Sequence, residues 1–251
     1  MGKAPVEAVN TSLEVLHCLA TTAPCSITDL AERLGRPKTT VYYHLRTLEK
    51  RGYVVRRGEG YDLSLTPLML GGQALNRRVP VNVVESNLTR LAREANEVAV
   101  FGVEEHGHVV ILGVKRPPEF DTEVDPAIGA RLPLHASALG KALLSGLPDQ
   151  QREALLDGYS FEKLTEDTIT DEDAFQNVLS SVREGHHAHD HGERDPGVRA
   201  VASPVAATEG TPVGGIGVVG PASRLYSDRF THELPHLVER FAERVEHMFR
   251  S

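Results

Sequence analysis

The 251-residue chain has no tryptophan, two cysteines and only 5% aromatic residues. Cys18 and Cys25 lack CxxC spacing and cannot form a disulfide framework, which fits a reduced compartment. No apolar run approaches the roughly 18 residues that cross a bilayer. The N-terminal stretch MGKAPVEAVNTSLEV has no apolar signal-peptide core, so a cytoplasmic protein without membrane partners is expected. Charged residues at 25% and hydrophobic residues at 40% exclude a disordered or fibrous chain.

What is present is unevenly distributed. Residues 1–78 hold 11 Lys+Arg against 7 Asp+Glu, a net of +4; the remainder holds 16 against 28, a net of −12. A basic third joined to an acidic remainder suggests a nucleic-acid module with a separate partner.

The first third reads as helices followed by a hairpin. Val9, Leu13, Leu16 and Ala20 follow helical spacing. Ser26 with Asp29 resembles a capping box, and Gly35 closes a short helix. Pro37 opens the next helix, where Val41, Leu45 and Leu48 form a buried stripe. Two β-prone runs, Tyr53–Arg57 and Tyr61–Leu65, flank a three-residue loop, Gly58-Glu59-Gly60. The order is that of a winged helix-turn-helix. The face opposite the buried stripe carries Thr39, Thr40, Tyr43, Arg46, Thr47 and Lys50, types that meet phosphates and base edges in a major groove. Arg56 and Arg57 on the wing suit phosphate contact.

A connecting helix runs from Leu68 to Arg78, and Val84, Leu88, Leu91 and Ala95 mark another. Val98–Val103 and Val109–Val114 read as paired strands. Helices follow at Ser137–Leu144, Gln150–Leu156 and Asp171–Glu184, strands at Arg199–Val205 and Val213–Val219, and a last helix at Phe230–Phe249. This is the pattern of an α+β domain on an antiparallel sheet.

Several motifs invite chemistry. Gly215, Gly217 and Gly220 match GxGxxG, but the run is itself a strand followed by Pro221, so it is not a dinucleotide site. The cluster His186, His187, His189, Asp190, His191, Glu193 has metal-ligand types without a zinc spacing; a solvated polar loop is expected, with a pH-sensitive loop as another reading. Ser137 lacks a nucleophile elbow and an acid–histidine partner, so it is expected to cap a helix whose N-terminus could receive a carboxylate. Cys18 is expected in a helix core and Cys25 in a loop.

Four stretches together resemble the IclR-type transcriptional regulators: Leu34–Leu48 with Gly52-Tyr53-Val54, Leu132–Leu144, Asp195–Val205 and Gly215–Leu225. The resemblance implies a winged helix that dimerises on a double-stranded DNA operator, and a GAF-like domain that binds a small metabolite, often an organic acid. It places the effector pocket at Leu134, Ala136, Ser137 and Ala138, at Asp190, and at Ala200, Gly217 and Val219. Tyr43 stands where an arginine is common. Ala200, Gly217 and Val219 stand where members that bind very small polar acids carry Cys or Ser. The expected organisation is a DNA-binding domain at 1–67, a linker helix at 68–82 and an effector domain at 83–251. The assembly expected is a homodimer, with a tetramer from the resemblance alone. No cofactor, metal or catalytic residue is implied. Two other readings of the residues stand beside this one: a metal-dependent hydrolase using His186–His191, and a protein-interaction module.

Overall fold

A computed structural model describes residues 6–78, 80–119, 124–206 and 212–249. The chain divides into two compact units, residues 1–78 and 79–251.

The first unit contains α1 (Glu7–Thr22), α2 (Ile27–Leu34), α3 (Lys38–Lys50), β1 (Val54–Arg57), β2 (Gly60–Leu63) and α4 (Thr66–Arg78). Helix α2 starts where the capping box sets it. The Ser26 hydroxyl accepts the Asp29 N–H at 3.2 Å, and the Asp29 carboxylate accepts the Ser26 N–H at 3.3 Å. Gly35, at φ +59°, ends it in the left-handed region that glycine enters without strain. Val41, Leu45 and Leu48 are the buried face of α3 and join Val15, Leu19, Leu30, Val54 and Tyr61 in one core. Removing a leucine such as Leu45 from water contributes about 1.5–3 kcal/mol.

The wing departs from expectation by one residue. Arg57 pairs with Gly60, so the turn is Gly58-Glu59 and Gly60 belongs to β2. A side chain at Gly60 would lie 3.2 Å from the Cys25 backbone. Cys25 lies in the connection between α1 and α2, where it is a buried bridge partner of Tyr61, exchanging two backbone hydrogen bonds of 2.9 Å. Cys18 is only partly buried, at the margin of the same core.

The second unit contains α5 (Val81–Ala95), β3 (Val98–Glu105), β4 (His108–Lys115), β5 (Arg131–Pro133), α6 (Ala138–Gly146), α7 (Asp149–Leu156), α8 (Glu172–Gly185), β6 (Ala188–Asp190), β7 (Val198–Ala206), β8 (Pro212–Pro221) and α9 (Leu234–Phe249). The six strands form one antiparallel sheet in the order β5-β4-β3-β8-β7-β6. Side chains alternate between its faces. Ala99, Phe101, Val201, Ile216 and Val218 pack with Leu88 and Leu91 of α5 and Val238, Phe241 and Val245 of α9. Val98, Val100, Ala202 and Val219 pack with Leu139, Ala142 and Leu143 of α6 and Phe175 and Leu179 of α8. Both faces are covered, which is why β3 and β8 read as nearly continuous apolar runs.

Two strands had no signal. β5 and β6 are three residues each, and β6 has the sequence Ala-His-Asp. Its β form comes from pairing with β7, Asp190 opposite Ala200, not from its own propensity. The expected final helix also differs at its start: Arg229–Glu233 is a π-helical turn, and regular α9 begins at Leu234.

Candidate nucleic-acid interface and ligand site

On α3, Thr39, Tyr43, Arg46 and Lys50 recur at spacings of four, three and four, and all are exposed. Tyr43 is 69% exposed, and Thr40 lies half-buried at the edge of this face. Thr47 donates its hydroxyl to the Tyr43 carbonyl at 2.9 Å. Tyr42, 38% exposed, was not on the expected face; its ring meets Tyr43 edge-on and lies 6.0 Å from the Arg46 guanidinium. Its neighbour Val41 is core, and one residue of helical rotation puts Tyr42 on the flank. On the wing, Arg56 lies over the Tyr61 ring at 5.4 Å, and Arg57 pairs with Asp62 at 3.2 Å. The result is a helix face of hydroxyls, phenols and cations beside a basic hairpin.

The second unit gathers the other set from three segments. Ser137 caps α6: its Oγ accepts the Gly140 N–H at 3.2 Å and donates to the Pro133 carbonyl at 2.7 Å. Gly140 must be glycine, because a Cβ there would lie 2.2 Å from the Leu134 carbonyl oxygen. The Leu134–Ala138 turn is therefore pressed against the first turn of α6, whose leading N–H groups point out of the helix start. The turn is held from behind. The Leu134 N–H donates to the Tyr159 hydroxyl at 2.9 Å, and His135 meets that hydroxyl at 3.0 Å and the Glu162 carbonyl at 3.0 Å. Burial holds the His135 imidazole below its ordinary range.

Sheet register brings in the rest. Asp190 pairs with Ala200, which pairs with Val219; Gly217 pairs with Ala202, two residues along. Ala200 and Val219 belong to the same apolar cluster as Ala138. Asp190 is 5% exposed, and its Oδ1 accepts the Gly192 and Glu193 N–H groups at 3.0 and 2.8 Å. Burial pushes its carboxyl up. At Gly217 a Cβ would lie 2.4 Å from the Val201 carbonyl oxygen, so glycine there also serves the packing.

Only part of the histidine-rich segment is a solvated loop: His186 and His191 are exposed, while His187 and His189 are half-buried. His186 ends α8 in the left-handed region, and the chain then enters β6. His187 bonds Glu239 through Nδ1, and His189 bonds the Phe230 carbonyl through Nε2 at 3.0 Å. The rings of His189 and His191 pack on Phe230 with centroids 4.7 and 5.1 Å away. Among the described residues, no group of three or more His, Cys, Asp or Glu is arranged to hold a metal ion. The GxGxxG run lies within β8.

Sequence reasoning missed the buried ion pair of Lys141 and Glu193, 1% and 3% exposed, with Nζ 2.5 Å from Oε1. A signal existed: Lys141 interrupts an apolar helix, and a lysine on a covered face needs a buried partner.

Known proteins match along this whole arrangement. The model for the IclR helix-turn-helix domain matches residues 8–58, and that for the bacterial transcriptional regulator IclR C-terminal region matches residues 73–247. The HTH-type transcriptional regulator KdgR of Escherichia coli is 30% identical over 86% of this chain and 82% of its own. The crystal structure of a transcriptional regulator, RHA06195 from Rhodococcus, superposes with a TM-score of 0.79 at 26% identity, covering 96% of this chain and 97% of that one. The inducer-binding domain of the Acinetobacter PobR transcription factor, a double mutant in complex with 3-hydroxybenzoic acid, superposes at 0.60 with 27% identity, covering 66% of this chain and 96% of that one. No helix among the described residues is long and apolar enough to cross a membrane.

Proposed function

The chain belongs to the IclR family of bacterial transcriptional regulators, and on that footing we propose that it is a homodimeric operator-binding regulator whose C-terminal unit senses an organic acid. The observation that carries the DNA reading is the exposed row Thr39, Tyr43, Arg46 and Lys50 on a helix whose other face is fully buried. Such a helix enters a major groove with the wing arginines on the backbone.

The acid reading rests on chemistry. The start of α6 offers free backbone N–H groups beside a turn that Gly140 and Tyr159 hold in place, and a helix N-terminus favours a carboxylate. Ala200, Gly217 and Val219 leave an apolar floor, which suits an acid with a hydroxylated or partly apolar body over one of two carbons. A relative's inducer-binding domain holds a hydroxybenzoic acid. Asp190 accepts from a hydroxyl of the same molecule. The dimer reading rests on α4, which has no buried residue, and on Leu65, Leu68 and Met69, exposed by 83%, 71% and 57%. A second copy covers them and reads a pseudo-palindromic site.

Genome-wide recovery of DNA bound by the chain tests the proposal. One preferred two-fold site, released or tightened by an organic acid related to the neighbouring genes, is the expected result. Sequence-indifferent binding, or no salt-dependent binding at all, rejects it in favour of a protein-interaction module.

A further inference from the structure

Fifteen residues, 157–171, join α7 to α8; all are described, and they form neither helix nor strand. Connections of that length without regular structure are uncommon, and most are either functional or disordered. This one is anchored. Asp157, Glu162, Lys163, Glu166 and Asp167 stand in solvent, while Tyr159, Phe161 and Thr165 are half-buried and Thr168 is buried. Phe161 packs edge-on against the core residue Phe175 of α8, with centroids 5.4 Å apart.

The anchors reach both halves of the acid site. At one end the Tyr159 hydroxyl accepts the Leu134 N–H at 2.9 Å, and the Glu162 carbonyl accepts from His135 Nε2 at 3.0 Å. These two bonds hold the turn that leads into α6. At the other end the Thr165 hydroxyl donates to the Gly192 and Glu193 carbonyls at 2.9 and 3.1 Å, and the Thr168 hydroxyl donates to the Glu193 carbonyl at 2.6 Å. The N–H groups of the same two residues, Gly192 and Glu193, hold the Asp190 carboxylate. The Thr168 hydroxyl also accepts the Leu164 and Thr165 N–H groups at 3.1 and 2.8 Å, which fixes its direction. Lys141 holds the Glu193 side chain, whereas the threonines hold the peptides that aim Asp190.

We propose that residues 157–171 are a brace that fixes the separation between the start of α6 and Asp190, so that the site selects acids carrying a hydroxyl at the matching distance. The inference rests on the organic-acid reading of that site and adds what makes it selective. Tyr159 is a positioning residue for the carboxylate end and Thr168 for the hydroxyl end. A plain carboxylic acid uses one end only and is indifferent to the separation. A hydroxy acid uses both, and its second hydrogen bond forms without reorganisation only where the two ends are already held apart by the right amount.

Two matched pairs of probes test the brace, titrated into the full chain by calorimetry: 3-hydroxybenzoate with benzoate, and gluconate with hexanoate. The unmodified chain should hold the hydroxylated member of at least one pair about tenfold more tightly, the gain from one hydrogen bond to a carboxylate. Thr168→Val keeps the shape and removes the hydroxyl. It should weaken the hydroxylated acid about fivefold or more and leave the plain acid within about twofold. Thr168→Ser restores the hydroxyl and should restore the preference. Thr165→Val, at a half-buried position, should give the same pattern on a smaller scale, and it carries the test if Thr168→Val does not fold. Tyr159→Phe should instead weaken both members alike, because both use the α6 end. A change that merely loosened the fold would weaken both members at either end, so equal losses in the two threonine variants overturn the brace while the acid reading stands. A preference for the hydroxylated acid that survives both threonine changes overturns it too, as does plain-acid affinity that survives Tyr159→Phe. An unmodified chain that binds both members of each pair equally overturns the selectivity. One that binds none of the four acids sinks the organic-acid reading and the brace with it.

Discussion

In the N-terminal unit the side chains that would do chemistry stand in solvent; in the C-terminal unit they are buried. Tyr43 is 69% exposed, whereas Asp190, Glu193 and Lys141 are exposed by 5%, 3% and 1%. An exposed cation keeps its hydration and needs no partner, so a DNA-facing row can be laid on any helix whose other face is apolar. A buried charge must find its partner inside the fold: Lys141 on α6 finds Glu193 fifty-two residues later. The outer unit can change its binding face residue by residue at little cost in stability. In the inner one the proposed ligand residues also hold the fold, so a ligand bound there would couple to the protein's structural equilibrium.

The largest effect that can break this contrast lies in the buried pair. Lys141→Met leaves Glu193 buried and uncompensated and should cost about 3–5 kcal/mol in chemical denaturation. Lys141→Met with Glu193→Leu removes both charges and should recover most of that loss. If the single variant costs less than about 1 kcal/mol, the pair is effectively solvated, and the two units do not differ in the way described.

The wing is the matching test in the other unit. Arg56→Ala with Arg57→Ala should leave stability within about 0.5 kcal/mol, since both side chains are exposed. The slope of log affinity for DNA against log salt should fall by about 2. A fall near 1 would show that Asp62 already neutralises Arg57 in the complex. An unchanged slope removes the wing from the interface.

The contrast also explains what the sequence made legible. The winged helix is built from local signals: the Ser26–Asp29 cap, the Val41–Leu45–Leu48 stripe and the Gly58 turn each act within a few residues, and the elements appear where those signals put them. The proposed effector site of the C-terminal unit is assembled by register. No local pattern says that Asp190 lies opposite Ala200, or that Ala200 lies opposite Val219. Only the family resemblance grouped them beforehand. His189 was misread for the same reason: its polarity suggested water, while pairing of β6 with β7 and packing on Phe230 leave it half-buried. Lys141 was the one long-range feature with a local sign.

A smaller effect separates two roles of Asp190. Its Oδ1 already holds the Gly192 and Glu193 N–H groups, so Asp190→Ala should weaken organic-acid binding by about 1–3 kcal/mol while loosening that turn. Asp190→Asn keeps an oxygen acceptor for the turn and removes the charge. If calorimetry finds acid affinity lost in the alanine variant and retained in the asparagine variant, the turn matters and the carboxylate does not. Loss in both assigns the carboxylate to the ligand. Equal affinity in all three removes Asp190 from the site. DNA binding without ligand should survive both changes.

The smallest effect is a pH dependence that only the buried unit should show. Burial, chiefly, holds His189 below its ordinary 6.5, at about 4. The unfolded chain takes up this proton as pH falls through 6.5, while the folded chain resists until about pH 4. The histidine's contribution to stability is therefore complete above pH 6.5 and is lost progressively as pH falls towards 4. One proton bounds the slope at about 1.4 kcal/mol per pH unit, and partial exposure of the ring makes it shallower. Asp190 and Glu97 act in the opposite sense, because burial raises their carboxyls and lets the folded chain bind protons first. His189→Gln keeps a donor for the Phe230 carbonyl and removes the titration, leaving those carboxyls in place. Denaturation midpoints of the two chains at pH 7.5, 6, 5 and 4.5 should diverge steadily as acid is added, the variant losing less. Parallel curves would mean that His189 titrates as it does in water, and that β6 is as open to solvent as the DNA-facing helix.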